Sequence, residues 1–320
     1  MGAGALDYCE LVCVGAEGDL RVARRGELWR VTPGGLASRV KVERKQGDLY
    51  DGYDNMVWRG PAGTRFSFMC MEATGSILGL INCGVTTSGP PSLVRVKLSG
   101  EVRATTLALH ESLSSICADA SGGFIGTCGR AVWHFTPDFE ARVVWQAPLA
   151  MLHSVCLEPA GGIIVASRRA IYRVALSGSS ACVAGSETSS ARADGAGSAA
   201  GFEHLRAVCL DGAANIIAAD GHTIRCVTPG GAVTTLAGRA TGLHWLRSNA
   251  EDGAGAVATF DRPSGVCVDG TGSIVVVDSW RLRRLTVGAP RGGQAAAAAG
   301  GAAAAAAPLA EAQAGCCTVC

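Results

Sequence analysis

Three histidines are the residues of this chain best suited to metal chemistry: His110, His153 and His204. They precede three cysteines of the repeat described below by seven, three and five residues, respectively. Neutral imidazoles hold zinc when their nitrogens converge to about 2.0–2.1 Å from the ion. The unequal spacing argues against one shared coordination shell. A metal-dependent lyase or hydrolase is therefore ranked below two other functional hypotheses, protein or peptide binding and RNA binding.

Arginine and tryptophan side chains in predicted loops suit binding, because both types are enriched at interface hot spots. The candidate contact residues are Trp58, Arg168, Arg169, Trp245, Arg247, Trp280 and Arg281. The same residue types suit single-stranded RNA, whose bases stack on aromatic rings and whose phosphates pair with arginine. Solvated arginines, and tryptophans packed beneath their own loops, are the alternative interpretation.

Catalytic motifs give little support for an enzyme. The sequence has no G-x-S-x-G, no H-E-x-x-H and no P-loop. Residues 253–258 fit a loose dinucleotide-binding pattern, but no helix is predicted after them. We therefore expect no cofactor, and a binding protein in preference to an enzyme.

The C-terminal residues carry a separate signal. Residues 288–320 are a low-complexity Gly/Ala tail that ends in CCTVC. Cys317 is followed by Thr-Val-Cys, which has the C-a-a-X form of a prenylation site. A terminal cysteine is an unusual last residue of that motif, and no polybasic stretch precedes it. Membrane association is expected only if this tail is lipidated.

The elements that position these residues repeat six times. Six cysteines align in one column: Cys13, Cys70, Cys117, Cys156, Cys209 and Cys267. An acidic residue follows each cysteine by two positions, except at Gly15, and an apolar residue follows by seven. The spacing of the cysteines fits a blade of four short strands rather than a helical repeat. We predict an all-β fold over 1–287, a six-bladed β-propeller of four-stranded antiparallel blades. The last blade is closed by an N-terminal strand at 4–9, or else has three strands.

The cysteine column has a physical cause in such a ring. The first strand of each blade, strand a, lies nearest the axis and is covered on both faces, so it is apolar throughout. A cysteine in that narrow space behaves as a small hydrophobe. Equivalent positions of different blades are too far apart for disulfides, so we expect free thiols.

Two segments carry a family resemblance. Residues 262–287, RPSGVCVDGTGSIVVVDSWRLRRLTV, and residues 205–238, LRAVCLDGAANIIAADGHTIRCVTPGGAVTTLAG, resemble NHL repeats. DGAG (194–197) and DGAGAVATF (252–260) are similar to the linkers between such repeats. The resemblance covers about 11–287 and implies a six-bladed β-propeller, in agreement with the six aligned cysteines. It implies no single function: some such propellers bind RNA, and some relatives of the fold hold zinc at the axis.

Chain direction distinguishes the two faces of the predicted disc. The short a–b and c–d turns open on one face, here called the turn face. The b–c loops and the crossovers between blades open on the other, the loop face. Long excursions all lie on the loop face: 43–66, 82–92, 186–203 and 239–262. Function concentrates in loops on a rigid scaffold. Arginines of the loop face and carboxylates of the turn face can give the disc a positive and a negative side despite a net charge of +1. In the alternative interpretation, the carboxylates accept hydrogen bonds from the backbone of their own turns.

Composition limits the class of protein. Hydrophobic residues make up 48% and charged residues 17% of the chain, which excludes wholesale disorder. The start has no secretory pattern and no window is apolar enough to span a bilayer, so we expect an intracellular, cytoplasmic protein. The predicted function is a non-catalytic, monomeric platform that binds a protein or peptide on the loop face. RNA binding on that face is the alternative.

Overall fold

Short strands and turns make up the structure, a computed structural model that describes residues 9–15, 17–24, 27–32, 36–39, 66–72, 74–81, 92–96, 102–106, 113–189, 191–239, 250–279 and 281–286. These residues form six antiparallel sheets arranged as a β-propeller, which confirms the predicted fold class. The described ranges contain one 3₁₀ turn, Gly197–Ala199, and no helix able to cross a membrane.

The first three blades each have four strands in chain order from the axis outwards. The first blade contains β1 (Cys9–Val14), β2 (Leu20–Arg24), β3 (Glu27–Val31) and β4 (Ala37–Arg39). The second contains β5 (Phe66–Met71), β6 (Ile77–Ile81), β7 (Ser92–Val96) and β8 (Val102–Thr106). The third contains β9 (Leu113–Ala118), β10 (Phe124–Cys128), β11 (Ala131–Phe135) and β12 (Ala141–Gln146).

The last three blades differ in strand number. The fourth contains β13 (Leu152–Leu157), β14 (Ile163–Ser167), β15 (Ala170–Val174) and β16 (Ser180–Gly185). The fifth contains β18 (Leu205–Leu210), β19 (Ile216–Asp220), β20 (Thr223–Val227) and β21 (Ala232–Ala237). The crossover that precedes this blade adds a fifth strand, β17 (Gly195–Ala196), which pairs with β21 at the outer edge. In the described ranges the sixth has three strands, β22 (Pro263–Val268), β23 (Ile274–Asp278) and β24 (Arg281–Leu285). The closing strand expected at 4–9 lies outside these ranges, except that Cys9 begins β1.

The core lies between neighbouring blades. All six cysteines of the column have no exposed surface, and none forms a disulfide with another described cysteine. Apolar side chains of neighbouring blades share buried clusters; Leu152, Val155 and Ile163 of the fourth blade, for example, belong to the same cluster as Ile125 of the third. Burial against both neighbours explains why the inner strands are apolar on both faces.

The ring closes between the first and last blades. Each inner strand packs against the next around the axis, and β22 packs against β1. The turn after β22 approaches the turn after β1 so closely that the Gly270 N–H donates to the Gly18 carbonyl oxygen at 3.2 Å. Buried serines link other inner strands, since Ser154 Oγ accepts a 3.1 Å hydrogen bond from the Val208 N–H of the next blade.

The acidic residues of the turn face cap their own turns. Asp119 Oδ1 accepts hydrogen bonds from the backbone N–H groups of Ser121 and Gly123, at 2.8 and 3.0 Å. Its other oxygen lies 3.0 Å from Nε2 of His134 on the third strand of the same blade. Four other blades pair a turn carboxylate with an arginine of their third strand: Asp19 with Arg30, Glu72 with Arg95, Glu158 with Arg173, and Asp269 with Arg284.

In the first blade, where Gly15 stands at the acidic position, the carboxylate of Asp19 takes the place of the missing acidic side chain. A Cβ added at Gly15 would lie 2.2 Å from Oδ1 of Asp19, so the Asp19 carboxylate occupies the space that the acidic side chain fills elsewhere. The turn face is therefore not a free acidic surface: its described column carboxylates are used in turns and ion pairs, as the alternative interpretation held.

Candidate functional site

The structure describes five of the ten candidate contact and metal residues. Arg168, Arg169, Arg281, His153 and His204 lie within the described ranges. The other candidates lie outside them: Trp58, His110, Trp245, Arg247 and Trp280, together with the lipidation candidate Cys317.

Every inner strand has a β-bulge near its first residue, where the chain enters from the loop face. The pairing with the second strand skips one residue in each blade: Glu10, Ser67, Ser114, His153, Arg206 and Ser264. A bulge leaves one residue unpaired and redirects its side chain. In the fourth and fifth blades this residue is a potential cation, His153 or Arg206, at the start of an otherwise apolar strand.

Buried aspartates fix the residue just before two of these strands. Asp220 Oδ1 accepts the backbone N–H of His204 at 2.7 Å, and Asp278 Oδ1 accepts that of Arg262 at 2.7 Å. Both carboxylates are fully or almost fully buried. His204 and Arg262 therefore have equivalent, rigid backbone positions at the rim of the central channel.

Contacts between blades bring these residues together. The imidazole rings of His153 and His204 meet edge to face with centroids 5.9 Å apart. The loop between β14 and β15 joins them, because the Arg168 carbonyl oxygen accepts the Leu205 N–H at 2.9 Å. We call His153, Arg168, His204, Arg206 and Arg262 the cationic cluster.

The charges of the cluster act on one another. Burial, then the guanidinium groups of Arg206 and Arg168, lowers the pKa of His204 to about 4. Burial and the same two arginines lower the pKa of His153. Burial, then Arg262 and Arg168, lowers the pKa of Arg206. At neutral pH both imidazoles are therefore uncharged, and the positive charge lies on three arginines.

The nearest carboxylates already have other partners. Glu187 Oε1 accepts hydrogen bonds from the hydroxyls of Tyr172, at 2.9 Å, and Ser167. Glu203 pairs with Arg192 at 3.2 Å. Among the described residues no carboxylate forms an ion pair with Arg168, Arg206 or Arg262, and the buried Nε of Arg206 has no hydrogen-bond partner. The cluster therefore carries an excess of positive charge, which Glu187 offsets only in part.

Two apolar side chains lie in the crossover that leads into β13. Leu149 is 72% exposed and Met151 is 57% exposed. Met151 has the same place in the fourth blade as His204 in the fifth, two residues before the bulge. The loop face thus combines exposed apolar surface with the cationic cluster.

Part of this cluster was predicted from the sequence: Arg168, His153 and His204 were candidates, whereas Arg206 and Arg262 were not. Arg169 is half-buried beside Arg168, with its carbonyl oxygen bonded to the Ser186 N–H. Arg281 is exposed at the start of β24. One feature of the sequence could have indicated Arg206. His153 and Arg206 both stand three residues before a cysteine of the column, inside strands expected to be apolar.

Two imidazoles of the cluster, those of His153 and His204, could contribute to a metal site. Three His, Cys, Asp or Glu side chains in a metal-binding arrangement do not occur among the described residues. The third histidine of the zinc hypothesis, His110, lies outside those residues.

Solved structures with this architecture are β-propellers. A virginiamycin B lyase from Staphylococcus aureus matches with a TM-score of 0.55 and 13% identity, over 89% of this chain and 84% of that one. An auxiliary nutrient binding protein from Bacteroides thetaiotaomicron matches with a TM-score of 0.61 and 17% identity, over 88% of this chain and 69% of that one. Such likenesses show the fold alone, and these propellers include both an enzyme and a binding protein. No family model and no curated protein matches the chain, so membership of the NHL family is not confirmed.

Proposed function

We propose that this protein is a binding protein whose loop face receives an acidic, partly apolar peptide segment of a partner. One observation carries the proposal: the charges of Arg168, Arg206 and Arg262 act on one another at the rim of the channel, and none of the three forms an ion pair with a carboxylate among the described residues. Charges of one sign in a recess attract and orient a ligand of the opposite sign.

A peptide fits the described surface better than RNA does. Single-stranded RNA is usually held by exposed aromatic rings on which bases stack. The large exposed apolar side chains of the described residues are instead aliphatic or methionine: Leu36, Val143, Leu149, Met151, Leu176 and Val257. Leu149 and Met151 precede the cluster in the chain and suit a leucine-containing peptide.

The proposal extends to the cellular location. No disulfide joins any of the nine described cysteines to another, and seven of the nine are buried. Free thiols are typical of reducing compartments. This supports an intracellular protein, which we propose to be monomeric.

Fluorescence anisotropy with labelled twelve-residue peptides tests the proposed function. Peptides that combine leucine with glutamate, glutamine or lysine have the same length and differ in charge. We expect the glutamate peptide to bind at least about tenfold more tightly than the glutamine peptide, and the lysine peptide not to bind. The Arg168→Gln/Arg206→Gln/Arg262→Gln variant should lose this preference. Arg142→Gln, at an exposed arginine of the outer strand β12, should retain it.

Other results would replace the proposal. Charge-independent peptide binding, or full binding by the triple variant, would remove the cluster from the interface. A single-stranded RNA of equal charge that binds more tightly than the glutamate peptide would favour RNA recognition. Stoichiometric zinc in the purified protein, lost after His153→Gln, would favour the metal-dependent enzyme.

A further inference from the structure

We propose that the group bound by the cationic cluster is a phosphate monoester, so that the peptide is recognised through a phosphoserine or phosphothreonine. This inference rests on the proposed function and names the chemistry of its anchor. It commits to a phosphorylated peptide as the occupant of the loop face.

Charge balance favours a dianion. Arg168, Arg206 and Arg262 act on one another electrostatically. Glu203 pairs with Arg192, whereas Glu187 accepts hydrogen bonds from the neutral hydroxyls of Tyr172 and Ser167, so its negative charge still offsets one of the three positive charges. One peptide carboxylate supplies a single negative charge, whereas a phosphate monoester carries about −1.5 to −2 at pH 7. The phosphate therefore offsets more of the positive charge than a glutamate side chain can.

The hydrogen-bond donors of the cluster point to the same ligand. The Arg206 Nε–H is buried and has no acceptor among the described residues. Arginine presents its donors as a planar fork that matches phosphate oxygens two at a time. A neutral imidazole keeps one N–H donor, so His204 adds a donor without adding charge. Three phosphate oxygens can accept from this set, whereas a carboxylate has only two oxygens.

The position of the cluster restricts the ligand to a projecting group. Arg206 and His153 occupy bulges of inner strands that pack directly against each other around the axis. Arg168 and the backbone before β18 and β22 are fixed by hydrogen bonds. This rigid arrangement at the channel rim suits the tip of a phosphorylated side chain, while the exposed Met151 and Leu149 suit the residues next to it.

The pKa of His204 gives a second measurement of phosphate binding. Neighbouring guanidinium groups and burial lower the pKa of His204 to about 4 in the free protein. A bound dianion favours the protonated imidazole and raises this pKa. NMR titration of the His204 ring protons, with and without inorganic phosphate, measures the shift directly. The control anion is chloride at matched ionic strength.

The binding experiment compares three labelled peptides that differ at one central residue: phosphoserine, glutamate or serine, each flanked by leucine. We expect phosphoserine to bind at least about tenfold more tightly than glutamate, and glutamate more tightly than serine. Arg206→Lys keeps the charge but removes the planar fork. It should reduce the phosphoserine preference to less than about threefold while the glutamate peptide still binds. Arg142→Lys is the matched control and should change neither affinity.

The outcomes separate this inference from the proposed function. Equal binding of the phosphoserine and glutamate peptides would overturn the phosphate assignment and leave an acidic-peptide site. Failure of all three peptides would overturn both. A phosphoserine preference that persists in Arg206→Lys would place the phosphate elsewhere. Circular dichroism first verifies that Arg206→Lys is folded; if it is not, Arg262→Lys, at an exposed member of the cluster, takes its place with the same criteria.

Discussion

The imidazole rings of His153 and His204 meet edge to face although the two residues lie at different positions of their repeats. His153 is three residues before its cysteine and His204 is five before its own. The bulged residue of one blade thus faces the residue preceding the inner strand of the next. Unequal spacing along the chain, which argued against a shared site, is what brings these rings together.

Stability should decrease on acidification through this pair. Both imidazoles have a folded-state pKa below the ordinary value of 6.5, and that of His204 is about 4. The unfolded chain therefore binds protons first, and the free energy of unfolding falls as pH falls from about 6.5 towards 4. Because the rings are only half-buried, we expect a loss on the order of 1 kcal/mol.

Urea denaturation at several pH values between 7 and 4.5 measures this loss. The His153→Gln/His204→Gln variant should show a flatter dependence than the wild type. His222→Gln removes a histidine from the same face and serves as the control. An unchanged slope in the double variant would contradict the assignment.

A second prediction concerns the ion pair between Arg225 and Asp220, whose side chains are both fully buried. The Arg225 guanidinium lies 3.0 Å from Asp220, pairs with Asp194 at 2.8 Å, and donates to the Ala193 carbonyl oxygen. It thereby fastens the crossover 191–203 to the fifth blade. Arg225→Met leaves Asp220 buried without its cation and should cost about 3–5 kcal/mol in thermal or urea unfolding.

A comparison with a more exposed ion pair tests whether burial is the cause of this loss of stability. Arg173→Met breaks the partly exposed pair with Glu158 and should cost at most about 1 kcal/mol. Arg225→Met/Asp220→Asn removes the uncompensated charge and should recover part of the loss, since an amide oxygen can still accept from His204. Equal costs for Arg225→Met and Arg173→Met would refute the argument.

The third prediction tests ring closure at Gly270. A Cβ added there would lie 2.6 Å from the Gly18 Cα, at the contact between the first and sixth blades. Gly270→Ala must separate these turns, and we expect a cost of about 1–3 kcal/mol. Hydrogen exchange should rise in β1 and β22 before it rises in β13. Gly230→Ala is the control, because its nearest heavy atom lies 4.0 Å away; similar costs for both variants would show that the contact does not hold the ring closed.

The strands and their order were predictable from local patterns. Each inner strand is covered on both sides, so its apolar residues and central cysteine recur in every blade. The turns after these strands repeat a carboxylate because its oxygen accepts the turn's backbone N–H groups. Such signals lie within a few residues of one another, and they are readable without knowledge of the neighbouring blade.

Arg206 shows why part of the site was not predictable. It is a single arginine inside an apolar run, and its bulge is a property of the pairing with β19 rather than of its own sequence. Its neighbours Arg168 and Arg262 belong to the blades on either side. The charge repulsion among them exists only once the blades are assembled.

Periodicity along the chain therefore specified six repeating blades, because burial on both faces imposes the same residue types on every inner strand. Assembly of the blades decided which side chains share the channel rim, since residues distant in sequence meet there across packed strands. It also decided that the column carboxylates of the turn face are used in turns and ion pairs, whereas the arginines of the cationic cluster have no ion-pair partner in the part of the chain that the structure describes. Pairing depends on distances between strands, which a linear pattern does not contain.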